Sequence, residues 1–434
     1  MRQGARIQSA IDVLEEIERG HRPAHLALND WGRGHRFAGS GDRTAIGNLV
    51  FDALRHRASI AWRMGSDTPR ALALGALALA WDLPAETIAS WCDGSKYSAA
   101  PLSASEMSAL GSKPDGEPPA WIKGDYPEWL GGEFDQVFGE RAAEEGAALA
   151  QRAPIDLRVN TLKTNRDKLL ESLRSYHVQP TLYSPIGLRI PAPAGPAKSP
   201  HVEAEAGHGR GHFEVQDEGS QLAALLSGAA SGEQVLDLCA GAGGKTLAMA
   251  ALMDNHGQIH AYDADRLRLR PIFERLKRAG VRNTQVITAG DESALEAVAS
   301  KMDVVLVDAP CTGSGVWRRR PDAKWRVKAE ALGKRIEEQR AALDRAAGLV
   351  RPGGRLVYVT CSILARENGE QITGFLDRFR DFELRPYDAN WRQTIGSEPP
   401  ASADGQQGGA LLLTPASHGT DGFFVAVMDR RASP

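Results

Sequence analysis

The stretch VLDLCAGAGGKT, residues 235–246, decides the fold. Its first residues form a short apolar run typical of a buried strand, and a glycine-rich turn follows. An apolar helical pattern begins directly after the turn. The same order of strand, loop and helix repeats from about residue 215 onward. This repeat is typical of an open, mostly parallel sheet covered by helices, so the sequence predicts a Rossmann-like α/β fold.

The repeat predicts five strands separated by helices. The strands are expected at 234–238, 258–262, 284–288, 304–307 and 355–359, and the helices at 244–254, 265–279, 292–300 and 329–350. A weakly alternating run at 422–428 predicts an edge strand. In such sheets ligands bind at the carboxyl ends of the strands, so the residues that follow each strand are the candidates for a site.

The glycine-rich turn indicates a ligand-binding loop. Gly241, Gly243 and Gly244 allow the backbone to approach a ligand closely, and the helix N-terminus behind them favours an anionic group. A phosphate-binding loop of the Walker type does not fit, because Cys239 stands where that motif needs glycine. The dinucleotide fingerprint is not met either, because Thr246 stands at its third glycine.

Acidic residues follow the next strands. Asp263 ends the second strand, where a carboxylate suits ribose hydroxyls, and this serves NAD and S-adenosylmethionine equally. Asp291 follows the third strand and could accept a hydrogen bond from an adenine amino group. One aspartate at a strand end is often only a turn residue. Acidic or glycine-rich ends on three successive strands favour a nucleotide-like ligand.

Two cysteines follow the fourth and fifth strands. Cys311 lies in DAPCTGSG, three residues after Asp308, and Cys361 lies in YVTCS. A single cysteine is usually a small buried apolar residue, but two beside a ligand loop favour chemistry. A thiolate that adds to carbon-6 of a pyrimidine makes carbon-5 nucleophilic towards a sulfonium methyl group. Asp308 could then hold the amino edge of a cytosine.

Basic residues cluster in two parts of the chain. The group after Cys311 is expected to favour a thiolate or to hold RNA phosphates; its members are Arg318, Arg319, Arg320, Lys324 and Arg326. Residues 19–70 carry nine arginines and no glutamate. These arginines are interpreted either as solvated helix faces or as a patch that contacts phosphates.

These residues together resemble the RNA 5-methylcytosine methyltransferases of the bacterial 16S rRNA and NOL1/NOP2/Sun family. The resemblance extends over about residues 150–428. Its motifs are FEVQDEGSQ (213–221), DLCAGAGGKT (237–246), DAPCTGSG (308–315), RRRPDAKW (318–325), YVTCS (358–362), REN (366–368) and HGTDGFF (418–424). The resemblance implies methylation of cytosine carbon-5 in RNA, foremost 16S rRNA, through a covalent cysteine–cytosine adduct. The alternatives are the same chemistry on tRNA, or a non-catalytic RNA-binding ribosome-assembly factor.

The resemblance also implies roles for individual residues. Cys361 would be the nucleophile and Cys311 would assist release of the product. In cytosine-5 DNA methyltransferases the Pro-Cys residue is the nucleophile instead, and the presence of both cysteine motifs favours the RNA family. S-adenosylmethionine would be bound by Cys239, Ala240, Gly241, Ala242, Gly243, Gly244, Lys245, Asp263, Asp291 and Asp308. The family usually has proline where Ala242 stands, so this loop is expected to be looser.

The rest of the chain is divided into two further parts. Residues 1–125 are expected to form a helical domain that resembles NusB-like RNA-binding domains, with a linker at 100–120. Residues 126–212 are expected to form a small α+β module similar to the family's RNA-recognition-like insert, and residues 213–434 the catalytic domain. The residues expected to bind RNA are Asp308, Arg158, Asn160, Arg318, Arg319 and Lys324.

Composition excludes several other classes of protein. The chain has 434 residues, a net charge of −3 and four cysteines, of which no two form a CxxC pair. Zinc ribbons and disulfide scaffolds are therefore excluded. The charged, amphipathic start and the short apolar runs predict a cytoplasmic protein without a membrane span. No metal and no obligate protein partner are expected.

Overall fold

The computed structural model describes residues 1–112, 114–405 and 409–432. The chain divides into two compact units. The helical unit comprises Met1–Arg152, Ala192–Pro200 and Trp317–Val327, and the sheet unit comprises Ala153–Pro191, His201–Val316 and Lys328–Pro434. The division into three domains at 125/126 and 212/213 stays a prediction.

The helical unit is built on the apolar periodicity of its first hundred residues. Its helices up to residue 150 are α1 (Gln3–Gly20), α2 (Ala24–Gly34), α3 (Ser40–Arg55), α4 (Arg57–Met64), α5 (Pro69–Leu79), α6 (Ala85–Trp91), α7 (Ala104–Gly111), α8 (Ala120–Lys123), α9 (Gly131–Phe138) and α10 (Ala142–Ala150). Ile7, Ile11 and Leu14, at helical spacing on α1, lie in the core. Cys92 is buried in the same core. The predicted all-helical character of this region is therefore confirmed, and the likeness to NusB stays a prediction.

Most arginines of the 19–70 stretch have partners. Eight of the nine bond to carboxylates or backbone carbonyls, and Arg36 is the exception among the described residues. Arg70, for example, lies 2.7 Å from Glu106. These ion pairs favour the interpretation as solvated helix faces, because paired cations present less positive charge to phosphates.

The segment Trp317–Val327 packs on the C-terminal end of α3. Lys324 Nζ donates to the carbonyl of Arg55 at 2.8 Å, and Trp325 Nε1 donates to that of Leu54 at 2.5 Å. Carbonyls at a helix end lack partners within the helix, so they can accept hydrogen bonds from buried donors such as these. Lys324 and Arg318 are only 1% and 5% exposed. Burial leaves these two side chains little surface for RNA, whereas Arg319 is exposed; the assignment of all three as RNA contacts stays a prediction.

The remaining helices complete the chain. They are α11 (Arg166–Ser172), α12 (Ala206–Gly209), α13 (Glu218–Leu225), α14 (Gly244–Leu252), α15 (Arg266–Leu269), α16 (Ile272–Ala279), α17 (Glu292–Glu296), α18 (Pro321–Arg326, in the helical unit), α19 (Ala329–Ala347), α20 (Gly369–Arg378), α21 (Tyr387–Thr394) and α22 (Pro415–His418). In the described residues no helix is both long enough and apolar enough to cross a membrane.

The sheet unit contains two sheets. Their strands are β1 (Ile155–Val159), β2 (Gln179–Pro180), β3 (Gly187–Ile190), β4 (Phe213–Val215), β5 (Gln234–Asp237), β6 (Gln258–Ala261), β7 (Thr284–Val286), β8 (Met302–Asp308), β9 (Val350–Thr360), β10 (Phe382–Arg385), β11 (Leu411–Leu413) and β12 (Phe423–Arg430). The large sheet has the order β10-β12-β9-β8-β5-β6-β7, with β11 paired to β12, and β9 through β7 run parallel. The predicted Rossmann-like fold is thus confirmed.

The C-terminal strand differs from its prediction. β12 is an inner strand that pairs antiparallel with β9 on one side and with β10 and β11 on the other. It is buried along most of its length, with Met428 at 0% exposure. The prediction of an edge strand at 422–428 is wrong, because β10 and β11 pair with the side of β12 that β9 leaves open.

The small antiparallel sheet is joined to the large one through the Arg-Val-Asn motif. Arg158 donates to the Gly244 carbonyl at 2.6 Å, and the Asn160 amide donates to the carbonyls of Gly211 and Ala279, each at 2.8 Å. Both side chains are buried. They hold the start of α14 and the end of α16, and their assignment as RNA contacts stays a prediction.

Lys324 makes the stability of the chain depend on pH. Burial lowers the pKa of Lys324 to about 7, whereas the pKa of an exposed lysine is about 10.4. Between these values the unfolded chain binds the proton and the folded chain does not, so the free energy of unfolding rises as pH rises from 7 to 10. Thermal unfolding of Lys324→Met, followed by circular dichroism at pH 7 and pH 9, should show a weaker rise than wild type. Lys328→Met, at an exposed position, should keep the wild-type rise, and an unchanged rise in Lys324→Met would contradict the interpretation.

Candidate active site

The loop between β5 and α14 is shaped by two glycines with positive φ. Gly241 has φ +51° and Gly243 has φ +83°. A Cβ atom at Gly243 would come within 2.5 Å of Ile272 Cγ1, so both the conformation and the space require glycine there. Arg275 donates to the Ala242 carbonyl at 2.8 Å. The backbone loop is thereby held against α16.

Asp263 supports this loop from the end of β6. Its Oδ2 accepts from the Gly241 N–H at 2.9 Å, and its Oδ1 accepts from the Asp265 N–H at 2.8 Å. Each carboxylate oxygen has a second lone pair. Asp263 can therefore hold the loop and also accept hydrogen bonds from a ligand, as expected for a ribose partner.

Lys245 and Asp308 form an ion pair at the same edge of the sheet. Lys245 Nζ lies 2.7 Å from Asp308 Oδ2 and 5.3 Å from the ring centroid of Phe423. The lysine is buried, whereas the Asp308 side chain is 35% exposed. Asp308 is thus oriented by a buried cation and remains accessible to a ligand.

Asp237, the last residue of β5, was not singled out from the sequence. It is 1% exposed, and its Oδ2 accepts from Thr246 Oγ1 at 2.6 Å. Burial, together with the charges of Asp308 and Asp263, raises the pKa of Asp237 to about 7. A shifted pKa beneath a ligand loop is a common feature of functional sites. Its position at a strand end was the only signal in the sequence.

Asp291 has a local structural role. Its Oδ1 accepts from the Ala294 N–H at 3.0 Å and from Ser293 Oγ at 2.8 Å, which makes it the N-cap of α17. These hydrogen bonds lower the pKa of Asp291. Its assignment as an adenine acceptor stays a prediction, because capping alone explains an aspartate at this position.

The two cysteines are in contact. Cys311 Sγ and Cys361 Sγ lie 3.4 Å apart, just beyond the carboxyl ends of β8 and β9. The contact with Cys361 and burial both raise the pKa of Cys311 well above its usual range. The neighbouring sulfur and burial thus favour the thiol form of Cys311, and the expected stabilisation of a thiolate by cations stays a prediction. Cys239 is not part of this contact, and burial raises its pKa as well.

Glu367, in the REN motif, joins the two cysteine loops. One carboxylate oxygen accepts from the Thr312 N–H at 2.8 Å, and the other accepts from Thr312 Oγ1 at 2.6 Å and Ser362 Oγ at 2.5 Å. The sequence assigned no role to this glutamate. The REN motif was the available signal, but nothing in it indicates which groups the carboxylate contacts.

The C-terminal HGTDGFF motif closes the site from a third side. The Gly315 N–H donates to the Cys361 carbonyl at 3.0 Å, and the Gly422 N–H donates to the Gly315 carbonyl at 2.8 Å. A Cβ at Gly315 would lie 2.2 Å from the Gly422 carbonyl oxygen. The Asp421 N–H donates to Asp217 in FEVQDEGSQ. These contacts explain why several distant motifs accompany the cysteines.

Comparisons with known proteins agree with this arrangement. Residues 224–429 match the family described as "16S rRNA methyltransferase RsmB/F", and residues 126–195 match the one described as "Methyltr_RsmF/B-like, ferredoxin-like domain". A "Probable ribosomal RNA small subunit methyltransferase B" from Synechocystis is 32% identical over 68% of this chain and 64% of its own length. The Klebsiella pneumoniae "Ribosomal RNA small subunit methyltransferase B" is 34% identical over 69% and 64%. The chain thus spans less than two thirds of these relatives.

A solved structure resembles the whole chain. The crystal structure of PH0851 is 25% identical, has a TM-score of 0.74, and covers 99% of this chain and 99% of its own. The similarity therefore includes the helical residues before 126, which neither family match reaches.

The glycine at 243 gives a direct test of the loop. Gly243→Ala should lower the free energy of unfolding by about 2–5 kcal/mol, through left-handed strain of about 1–2 kcal/mol and overpacking of about 1–3 kcal/mol. Gly232→Ala is the matched control, because Gly232 has φ +90° and nothing within 4 Å of its Cβ position. Urea unfolding should show the larger loss for Gly243→Ala. Equal losses would show that contact with Ile272 does not constrain the loop.

Proposed function

Since the chain carries the RsmB/F methyltransferase domain and the accompanying ferredoxin-like domain, we propose that it methylates carbon-5 of a cytosine in 16S rRNA, with S-adenosylmethionine as donor. The observation that carries this proposal is the contact between Cys311 and Cys361 at 3.4 Å. The two thiols share the carboxyl edge of the sheet with the glycine-rich loop. The names of the relatives favour rRNA over tRNA as the substrate.

The loop fits the proposed cofactor. Gly241 and Gly243 have positive φ and no side chains, so the backbone of the loop is open to a ligand. Asp263 retains lone pairs for ribose hydroxyls. Bound S-adenosylmethionine supplies an electrophilic methyl group at this edge. The same residues would not suit a triphosphate, because the Walker spacing is missing.

The two cysteines would divide the covalent chemistry. Cys361 Sγ bonds to carbon-6 of the cytosine, which makes carbon-5 nucleophilic. After methylation the carbon-5 proton leaves, the bond between Sγ and carbon-6 breaks, and the electron pair of that bond returns to Cys361. Cys311 is held as a thiol in contact with Cys361. It can donate a hydrogen bond to the departing thiolate and so assist release. Asp308, oriented by Lys245, would accept from the cytosine amino group.

An exposed surface beside the loop is suited to the RNA backbone. We define the basic face as Arg266, Leu267, Arg268, Arg270, Phe273 and Lys277, all exposed. Within the described parts of the chain, the side chains of its four cations have no hydrogen bond or ion pair. Leu267 is 78% and Phe273 59% exposed. Unpaired cations interleaved with an exposed aromatic ring are typical of surfaces that bind single-stranded RNA.

The basic face is rigidly attached to the loop. The opposite side of the same helices buries Leu269 and Ile272 against Ala240. Arg268 Nη2 lies 3.8 Å from the Cβ position of Gly241. RNA held on this face would therefore be bound beside the donor site.

The cysteine assignment predicts two different failures. Cys361→Ala should abolish methyl transfer from labelled S-adenosylmethionine to 16S rRNA, because no adduct forms. Cys311→Ala should accumulate a covalent protein–RNA adduct, visible as a shifted band on a denaturing gel, because release is slowed.

Bisulfite sequencing of RNA from a deletion strain locates the target cytosine. Full methylation by Cys361→Ala would overturn the nucleophile assignment, and wild-type protein that binds no S-adenosylmethionine would overturn the enzyme proposal.

The basic face predicts a salt-dependent loss of RNA affinity. Arg270→Ala combined with Lys277→Ala should weaken RNA binding and lower the slope of log Kd against log salt by about 0.7 for each lost phosphate contact on single-stranded RNA. Lys334→Ala, an exposed lysine on α19, is the control and should leave the slope unchanged. Filter binding at several salt concentrations measures both. An unchanged slope in the double variant would place the RNA elsewhere.

A further inference from the structure

Glu367 is a buried carboxylate surrounded by donors. It is 0% exposed and accepts from the backbone and hydroxyl of Thr312, from Ser362 Oγ, and from Gln339 Nε2 at 3.0 Å. Burying an ionised carboxylate is costly unless hydrogen bonds compensate it. Four donors meet this condition and hold both carboxylate oxygens in place.

The partners of Glu367 directly follow the two cysteines. Thr312 is the residue after Cys311, and Ser362 is the residue after Cys361. One carboxylate therefore bonds to both loops. Gln339, on α19, also donates to the Pro310 carbonyl at 2.9 Å, just before Cys311. The loop of Cys311 is thus held on both sides of its sulfur.

The backbone around Glu367 is itself anchored to β9. Tyr358 OH donates to the Glu367 carbonyl at 2.7 Å. The side chain of Asn368 accepts from Thr360 Oγ1 at 2.5 Å and donates to the Ser362 carbonyl at 2.9 Å. The carboxylate consequently has little freedom to move relative to Cys361.

Besides forming these hydrogen bonds, Glu367 acts on Cys311 through its charge. It adds to the effects of Cys361 and burial that raise the pKa of Cys311. The thiol form of Cys311 can donate to Cys361 but cannot attack a base as a thiolate.

We propose that Glu367 is the positioning residue of the thiol pair: its carboxylate clamps the Cys311 loop to the Cys361 loop and so holds the two sulfurs in contact. The role in methyl transfer rests on the proposed function, whereas the clamp itself can be tested without it. Glu367 touches neither the base nor the donor in this proposal.

Two substitutions separate the effect of the Glu367 charge from that of its side-chain length. Glu367→Gln keeps the shape and removes the charge, so alkylation of Cys311 by iodoacetamide, followed by peptide mass spectrometry, should move to lower pH. Glu367→Asp keeps the charge and shortens the side chain. It should leave the alkylation profile nearer to wild type and slow the diamide-driven disulfide between Cys311 and Cys361, in which diamide takes up both thiol protons and two electrons. Glu330→Gln, at an exposed position on α19, is the control for both assays.

Methyl transfer provides the third readout. Both Glu367 variants should lower kcat by about tenfold to a hundredfold, since misplacement of a reacting group by about 1 Å costs up to that factor. KM for RNA and Kd for S-adenosylmethionine should stay near wild type. If Glu367→Gln does not fold, Thr312→Val removes one hydroxyl donor and should give the same changes in smaller measure.

The outcomes distinguish the two proposals. Unchanged Cys311 alkylation and unchanged kcat in Glu367→Gln would overturn the clamp. Absence of methyl transfer in wild-type protein would overturn the proposed function, and the alkylation and disulfide assays would still decide on the clamp. If KM rises and kcat falls by the same factor in every variant, and thermal stability falls in parallel, Glu367 has a purely structural role.

Discussion

The parallel pairing of β8 with β9 is the constraint on which the candidate site depends. Its register places Asp308 opposite Val359. Cys311 follows Asp308 by three residues and Cys361 follows Val359 by two, so both cysteines lie just beyond the same end of the two strands. Parallel strands bring their carboxyl ends to one edge. A shift of one residue in this register would turn the side chains to the other face and separate sulfurs that now lie 3.4 Å apart.

The contact between the thiols is unsymmetrical because their surroundings differ. The contact with Cys361, burial and the charge of Glu367 all raise the pKa of Cys311, while the carbonyl of Cys361 receives the N–H of Gly315. In a low-dielectric environment a nearby anion stabilises the thiol over the thiolate. Two chemically identical side chains can thus have different tasks in one reaction, and their environment rather than their residue type decides which is which.

The basic side chains of the protein also differ in their surroundings. Arg158 and Lys324 are buried and donate to backbone carbonyls, and most arginines of 19–70 are paired. The basic face at 266–277 carries charge that is not neutralised locally. A net charge of −3 is therefore compatible with an RNA substrate, because solvent-accessible, unpaired cations determine phosphate binding and the total does not.

The sequence by itself determined the α/β repeat, the glycine-rich loop, the small α+β module and the strand ends that carry Asp263, Cys311 and Cys361. Periodicity and turn chemistry act between residues close in the chain, so these features can be predicted locally. Only the tertiary structure decided which groups the polar side chains contact. Glu367 meets Gln339 across 28 residues, and Lys324 meets Arg55 across 269. Nothing in the local sequence distinguishes a cation that binds phosphate from one that ends a helix, because burial against distant elements makes that choice.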